Sequence, residues 1–157
     1  LLTLLMRIIK AGLENLEMVY ELFDQYRQFY GQEPDIRSAE VFVSDRINKK
    51  ESVIFLALDE KLNEAMGFVQ LYPSFSSVSM QRIWILNDLF VHKDFRRKGV
   101  AEELIYRSKT LVSETKAKGI LLETHKANSE SQNLYDKTGF NRDEEHYYYF
   151  CQVNDPA

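Results

Sequence analysis

Residues 82–101 read RIWILNDLFVHKDFRRKGVA and place a strand, a basic loop and the start of a helix in direct succession. The apolar run Arg82–Val91 predicts a long strand. The polar pair Asn87-Asp88 interrupts this run, and an interruption of that kind predicts a β-bulge. A strand that bulges near its end and then runs into a helix is the first constraint on the fold.

Gly99 begins the strongest amphipathic helix of the chain, predicted over Gly99–Lys116. The first N–H groups of a helix attract anions, and a glycine lets a ligand approach the backbone closely. The cations of the preceding loop are Lys93, Arg96, Arg97 and Lys98. The junction therefore predicts a pyrophosphate site, although a solvated basic turn before a surface helix would have the same composition.

Hydrophobic periodicity predicts alternating strands and helices along the whole chain. The predicted elements are a strand Met6–Ile9, helices Leu13–Tyr30 and Ser38–Asn48, strands Val53–Leu58, Ala65–Tyr72 and Arg82–Val91, a helix Gly99–Lys116, a strand Ile120–Glu123, a helix Ser129–Thr138 and a strand His146–Val153. Ser38 and Ser129 are the expected N-caps, and a loop is expected after Pro73. The order β-α-α-β-β-β-α-β-α-β predicts an α/β (α+β) fold, a mixed, mostly antiparallel central sheet with helices on both faces. We expect a single domain over residues 1–157, with residues 1–5 either a leader or an authentic N-terminus.

Composition and charge exclude several classes of protein. The 157 residues are 45% apolar and 28% charged, which is ordinary globular usage, and the net charge of −4 argues against a nucleic-acid partner. No apolar run approaches the ~18 residues that span a bilayer, so no membrane partner is expected. The single cysteine, Cys151, excludes an internal disulfide framework and is expected to be buried in the last strand. A reducing cytoplasm is the expected compartment.

A second informative stretch is NSESQNLYDKTGF, residues 128–140. Asn128 and Tyr135 are seven positions apart, so they project from the same side of a short helix. Taken singly, Tyr135 would also fit a core or surface tyrosine and Asn128 a helix cap, and the stretch alone leaves these interpretations open.

Together the two stretches resemble the GCN5-related N-acetyltransferase (GNAT) superfamily. The segment Arg96–Ala101 is similar to its acetyl-CoA motif, Arg/Gln-x-x-Gly-x-Gly/Ala, in which alanine is allowed at the last position. Residues 128–140 are similar to its second motif, with the Asn, Leu-Tyr and Gly-Phe pairs, and Trp84–Val91 is similar to the strand before the first motif. Residues 26–30 and 86–91 are more similar to the branch of diamine acetyltransferases and small yeast histone or amino-acid acetyltransferase-like proteins.

The resemblance implies an acetyl-CoA-dependent N-acetyltransferase (EC 2.3.1) that uses no metal. The implied cofactor-binding residues are Leu89, Phe90 and Val91, whose backbone groups would pair with the pantetheine arm, and Arg96 of the acetyl-CoA motif. The amides of Arg97, Lys98, Gly99, Val100, Ala101 and Glu102 would cradle the pyrophosphate, and Asn128 and Ser131 would contact the arm. The phenol of Tyr135 would lie near the cofactor sulfur. A backbone N–H freed by the bulge would polarise the thioester carbonyl.

An alkyl amine is about 0.1% neutral near pH 7.4, so an N-acetyltransferase must remove a proton from its acceptor. Asp88 and Glu123 are the candidate bases, with Tyr135 as the acid. His92, His125 and His146 lie on separate segments without the spacing of metal ligands.

The expected acceptor is a primary amine of a small molecule, a polyamine or an amino-acid-like compound, which attacks directly in a ternary complex. The alternatives are a protein or peptide acceptor, or a non-catalytic acyl-CoA-binding sensor. Substrate choice is expected in Tyr26–Ile36, Tyr72–Gln81 and Glu144–Tyr149, where Glu33 and Asp35, with Asp88, would suit a cation. Both faces of the strand predicted over His146–Val153 are aromatic, which predicts a homodimer.

Overall fold

The computed structural model describes residues 5–153, so most of the stretch considered as a leader lies outside the described residues, as do residues 154–157. The elements are β1 (Met6–Lys10), a 3₁₀ turn (Leu13–Asn15), α1 (Leu16–Phe29), α2 (Ile36–Asn48), β2 (Val53–Asp59), β3 (Glu64–Ser76), β4 (Gln81–Val91), a second 3₁₀ turn (Lys93–Phe95), α3 (Val100–Glu114), β5 (Ile120–Leu121) and α4 (Ser129–Lys137). The predicted fold class is confirmed, and the order agrees from β1 to α4.

The strands form one sheet in the order β1-β2-β3-β4-β5. The first four strands pair antiparallel, and β4 and β5 pair in parallel. The last pairing is short, because only Trp84 and Ile85 of β4 find partners in β5, Ile120 and Leu121. The sheet is therefore mostly antiparallel, as predicted, and β4 has no partner in β5 beyond Ile85.

The bulge predicted in β4 is present. Leu71 of β3 pairs with Leu86, and its neighbour Gln70 pairs with Asp88, so Asn87 is the extra residue. Because side chains alternate along a strand, the extra residue moves every later side chain of β4 to the opposite face of the sheet. Leu86 consequently packs with the core beneath α3, and Phe90 packs with the core beneath α1 and α2.

Two hydrophobic cores lie on the two faces of the sheet. The α3 face buries Leu104 and Ile105 completely against Phe55 and Met66 of the sheet. The opposite face buries residues of α1 and α2 against the sheet residues Ile54, Leu56, Leu58 and Phe68. Both faces are thus covered by helices, as the apolar stripes of those helices predicted.

Two helix caps differ from the prediction. Asp35 caps α2, and its carboxylate accepts a hydrogen bond from the Ser38 N–H at 3.0 Å. Asn128 caps α4 and accepts from the Ser131 N–H at 3.1 Å. The predictions of Ser38 and Ser129 as caps were wrong, because each serine already lies inside its helix and an Asx residue precedes it at a non-helical backbone conformation.

The loop predicted after Pro73 is instead an extension of β3. Pairing with β4 continues through Ser74 and Ile83 to Ser76 and Gln81, and only residues 77–80 turn. Ladder hydrogen bonds to a neighbouring strand therefore outweigh the low strand propensity of the serines.

The C-terminal segment requires a correction. Residues 146–153 form no strand in the structure, and the side chains of residues 147–150 are at least 79% exposed. Cys151 is exposed and not buried as predicted. The physical reason is that β5, the last strand before this segment, ends at Leu121 and offers only two residues for pairing.

Every helix among residues 5–153 is too short or too polar to cross a membrane.

Candidate active site

A cleft opens where β4 and β5 separate. β4 continues to Val91 after its last pair with β5 at Ile85, and no other strand among residues 5–153 pairs with this edge. The cleft has a volume of about 410 Å³, and Leu89, Phe90 and Val91 line it together with the first turn of α3 and the inner side of α4. An unpaired strand edge exposes backbone N–H and C=O groups that an extended ligand can pair with.

One end of the cleft has the geometry of an anion site. Gly99 has φ of 81° and Arg97 has φ of 59°, so the chain reaches α3 through two left-handed residues. No side chain of residues 5–153 caps α3, so its first N–H groups, which belong to residues that line the cleft, are left for a ligand. Among the described residues, a Cβ built on Gly99 would meet only the Glu102 carboxylate, at 3.6 Å, so the space beside the glycine is open to a ligand.

An ion pair connects the two helices that flank this end. Lys137, in the last turn of α4, pairs with Glu102 in the first turn of α3, and both line the cleft. Glu102 was expected to contribute its backbone amide, and its side chain adds this bridge. Lys137 was missed, because a lysine near a helix C-terminus usually indicates only a favourable interaction with the helix dipole.

Tyr135 lies in the wall of the cleft on α4. Its ring packs edge-on against Phe140 with 5.6 Å between ring centroids. Burial raises the pKa of Tyr135 to about 12, and Tyr30 contributes to the same shift. The phenol is therefore protonated near neutral pH and able to donate a proton.

The two candidate bases occupy different environments. Glu123 is exposed and lines the cleft. Asp88 is only 3% exposed and lies behind Asn87 and Tyr26, which line the cleft where Asp88 does not. Burial raises the pKa of Asp88, although hydrogen bonds from Gln70, Asn87 and Tyr26 oppose that shift.

Aromatic side chains at the C-terminal end of α1 and at its C-cap form a further wall of the cleft. Tyr26, Phe29 and Tyr30 line the cleft, and the Tyr26 hydroxyl lies 3.4 Å from the carbonyl oxygen of Asn87. The Arg96 guanidinium lies 5.8 Å from the ring centroids of both Phe29 and Phe90. Its Nε donates to the Val91 carbonyl at 3.1 Å, so this cation is held at the mouth of the cleft.

The cleft brings together most of the residues singled out from the sequence. Of the twelve expected cofactor residues only Lys98 lies outside the lining, with its Nζ donating to the Asp94 carbonyl at 2.9 Å. Among the expected substrate regions only Tyr26–Ile36 contributes lining residues, and residues 72–81 and 144–149 contribute none. Among residues 5–153 no group of three or more His, Cys, Asp or Glu side chains has the arrangement of a metal site.

Gln70 was missed in the sequence, and it is the fully buried partner of Asp88. The available signal was its position, since it is the one polar side chain between Gly67 and Leu71 of β3. A buried amide in a core strand requires hydrogen-bond partners, so such a residue indicates a buried polar network.

Comparison with known proteins agrees with this geometry. The chain is 40% identical over 148 residues to the uncharacterized N-acetyltransferase YhfO of Bacillus subtilis (strain 168), covering 94% of this chain and 98% of that protein. A crystal structure of a probable acetyltransferase superposes with a TM-score of 0.90 at 41% identity, covering 96% of this chain and 99% of that one. A structure of the aminoglycoside acetyltransferase AAC(6')-Iy in complex with a bisubstrate analog shares the fold, with a TM-score of 0.78 at 21% identity over 95% of this chain and 99% of that one. The model of the acetyltransferase (GNAT) family matches residues 16–140, and with these relatives it shows that the chain belongs to that family and is an N-acetyltransferase (EC 2.3.1).

Proposed function

We propose that the chain transfers the acetyl group of acetyl-CoA to a primary amine of a small molecule, by direct attack in a ternary complex. One observation carries this proposal. A single cleft joins an unpaired strand edge, an uncapped helix N-terminus with two left-handed residues before it, and a protonated tyrosine. We also propose that residues 1–157 form one N-acetyltransferase domain.

The chemistry of the residues that line the cleft supports acetyl-CoA as the cosubstrate. The pantetheine arm carries amides along an extended chain, and the edge of β4 from Leu89 to Val91 would pair with them. The pyrophosphate would lie on the N–H groups at the start of α3, where the missing Cβ of Gly99 leaves room. Asn128 uses its side-chain oxygen to cap α4, so its N–H₂ group is the part that would contact the cofactor arm, beside Ser131.

Tyr135 is the proposed general acid. A thiol has a pKa near 8.5, so the sulfur of CoA is a fair leaving group and needs only modest help. Tyr135 would donate its phenolic proton to that sulfur as the carbon–sulfur bond breaks. Its pKa of about 12 keeps the proton on the phenol near neutral pH, so the phenol can donate a hydrogen bond to the departing sulfur, either protonating it or holding it in line.

Asp88 or Glu123 is the proposed general base. Either carboxylate would accept a proton from the acceptor ammonium through water, which frees the nitrogen lone pair for attack. Asp88 is held by three donors and lies directly behind Tyr26 and Asn87, and Glu123 is open to solvent. We favour Asp88, because a buried carboxylate whose pKa is raised by burial is the stronger base.

A cationic amine is the proposed acceptor, of the polyamine or amino-acid-like class. Tyr26, Phe29 and Tyr30 offer aromatic faces that attract a cation, and Asp88 lies just behind them. The aminoglycoside acetyltransferase that shares the fold holds the bisubstrate analog CoA-S-monomethyl-acetylneamine, which supports a small-molecule acceptor here. The diamine acetyltransferase branch remains our proposal for the subfamily.

A homodimer is proposed from the C-terminal segment. Tyr147, Tyr148, Tyr149 and Phe150 are exposed consecutively, and large exposed apolar patches mark interfaces. Each chain carries both this unpaired segment and the short edge strand β5, so two copies would satisfy each other across a two-fold axis. Light scattering on the full chain should give a dimer at tens of micromolar, and a monomer there would refute the proposal.

We further propose the reducing cytoplasm as the compartment of the protein, since the exposed Cys151 has no partner cysteine in the chain.

The decisive experiment measures free thiol release from acetyl-CoA against a panel of polyamines, amino acids and peptides. We expect turnover with a small cationic amine, and turnover with peptides alone would replace the small-molecule acceptor by a protein. Binding of acetyl-CoA without turnover of any amine would indicate an acyl-CoA sensor.

The matching control is Gly99→Glu, which places a carboxylate where the phosphates are expected. It should abolish binding of CoA in a folded protein. Unchanged affinity would show that the cofactor binds elsewhere.

A further inference from the structure

Gln70 lies at the centre of a series of hydrogen-bonded polar side chains, which we call the Gln70 network and which consists of Ser52, Gln70 and Asp88. Gln70 and Ser52 do not line the cleft. Its side chain is fully buried in β3, and its neighbours on the strand, Val69 and Leu71, are buried apolar residues. Its Oε1 accepts a hydrogen bond from the Ser52 hydroxyl at 2.8 Å, and its Nε2 donates to Oδ2 of Asp88 at 2.7 Å. Both ends of the amide are therefore satisfied, and the Gln70 network ends on a carboxylate.

The donors and acceptors of these three side chains determine the orientation of the Gln70 amide. A Gln side chain has one oxygen and one N–H₂ group, and here a hydroxyl donates to the oxygen. The amide is thereby fixed with its N–H₂ group toward Asp88, because a carboxylate can only accept. The other carboxylate oxygen, Oδ1, accepts from Asn87 Nδ2 at 3.0 Å. Asp88 is consequently held at both oxygens within the bulge.

The remaining surroundings of Asp88 contain few titratable groups. Tyr26 of α1 and Tyr72 of β3 face the carboxylate, and burial together with Asp88 raises the pKa of both hydroxyls. The next groups beyond these two tyrosines are Tyr30 and Tyr135 beside Tyr26, and Arg46 and Glu51 beside Tyr72. No ammonium or guanidinium group within the described residues forms a salt bridge with Asp88, so amide and hydroxyl donors are the groups that oppose the effect of burial and favour its ionised form.

We propose that Gln70, locked by Ser52, is a positioning residue that keeps Asp88 ionised and oriented to accept the proton of the acceptor amine. The inference rests on the proposed role of Asp88 as the base. In that step an N–H bond of the ammonium breaks, a proton reaches the carboxylate through water, and the freed lone pair remains on the nitrogen. Gln70 exchanges no proton, because a neutral amide only donates its hydrogen bond.

The test substitutes Gln70→Met, which keeps the length of the side chain and removes both hydrogen bonds. Without its donor the Asp88 carboxylate is harder to ionise, so the acid limb of kcat/KM for the amine should move to higher pH by about one unit. Activity at the low-pH end should fall about tenfold and recover at alkaline pH. A purely structural loss would instead lower activity equally at every pH.

Ser52→Ala is the second variant, and it keeps the test informative if Gln70→Met does not fold. It removes the hydrogen bond to the Gln70 oxygen but keeps the amide, so the acid limb of kcat/KM should move to higher pH by a smaller amount. Ser52→Thr keeps a hydroxyl and should restore the limb relative to Ser52→Ala. Ser108→Ala is the matched control, because Ser108 is a buried serine of α3 whose hydroxyl bonds the Leu104 carbonyl, away from the Gln70 network.

A direct titration of Asp88 tests the role of Gln70 separately from the role of Asp88 as the base. Carbon-13 NMR of the labelled Asp88 carboxyl reports its ionisation whether or not Asp88 takes part in catalysis. We expect the carboxyl to titrate at higher pH in Gln70→Met than in the wild-type protein. An unchanged titration overturns the role of Gln70. A shifted titration with an unchanged pH–rate profile overturns the role of Asp88 as base and, with it, the catalytic part of this inference.

Discussion

The replacement of Gly99 by alanine tests the anion site at the start of α3, and the chain supplies a matched control. Gly99 has φ of 81° and Gly31 has φ of 82°, so both are left-handed. In the part of the chain that the structure describes, an added Cβ at Gly31 meets no atom within 4 Å, and at Gly99 it meets only the Glu102 carboxylate at 3.6 Å, an ordinary contact. Neither substitution creates a clash, so each should lower the free energy of unfolding by about 1–2 kcal/mol through backbone conformation alone.

The two variants should differ in binding. A Cβ on Gly99 would stand between the backbone and a phosphate, and the loss of one charge-assisted hydrogen bond weakens binding about 10- to 100-fold. Gly31 lies outside the cleft lining, so Gly31→Ala should bind acetyl-CoA like the wild-type protein. Calorimetric titration with acetyl-CoA and urea denaturation measure the two effects separately. Wild-type affinity in a Gly99→Ala variant that has lost the expected stability would refute the placement of the pyrophosphate.

Three further substitutions test the catalytic acid, the core and a helix cap. Tyr135→Phe should lower kcat about 100-fold, while the free energy of unfolding changes by no more than about 1 kcal/mol. Its control is Tyr106→Phe, because Tyr106 is an exposed tyrosine of α3 and its replacement should leave kcat unchanged. If chemistry is rate-limiting and both variants have the same kcat, the phenol of Tyr135 has no part in the mechanism. Trp84→Phe should lower the free energy of unfolding by about 2 kcal/mol, because it removes the 2.9 Å hydrogen bond from Nε1 to the Thr115 hydroxyl, and an unchanged urea midpoint would contradict this. Asp35→Ala should lower the melting temperature at pH 7, and the difference should shrink as the pH falls through the carboxyl's folded-state pKa, which hydrogen bonds from the first turn of α2 hold below its ordinary value. A difference that grows on acidification would contradict that sign.

Local signals were sufficient for the strand–loop–helix junction. A glycine after a basic loop and before an amphipathic helix predicts a helix start that a ligand can approach closely, and Gly99 is the N-cap of α3. A polar pair in an apolar strand predicts a bulge, and Asn87 is the extra residue. Both features depend on neighbours in the sequence, which is why the sequence alone predicts them.

Features that depend on distant partners were not predictable in the same way. The aromatic pattern of residues 146–153 fits a strand, but no periodicity tells whether the chain supplies an edge for it, and β5 supplies two residues. Gln70 pairs with Ser52 and Asp88, each eighteen positions away in the sequence, so its role depends on strand register. The choice between Asp35 and Ser38 as cap depended on backbone angles, since both residue types cap helices well.

The extra residue of β4 also bears on how sequences related to this one are aligned. Asn87 shifts by one position the alternation of side chains between the two faces of the sheet, so in a relative without that residue the side chains that follow would reach the same two cores one position earlier in the sequence. An ungapped alignment of this chain with such a relative would pair side chains from opposite faces of the sheet. Equivalent residues would then be compared with the wrong partners and would be counted as differences. Identity scores through this strand therefore underestimate similarity wherever the bulge is absent, and a one-residue gap placed at Asn87 restores the true correspondence.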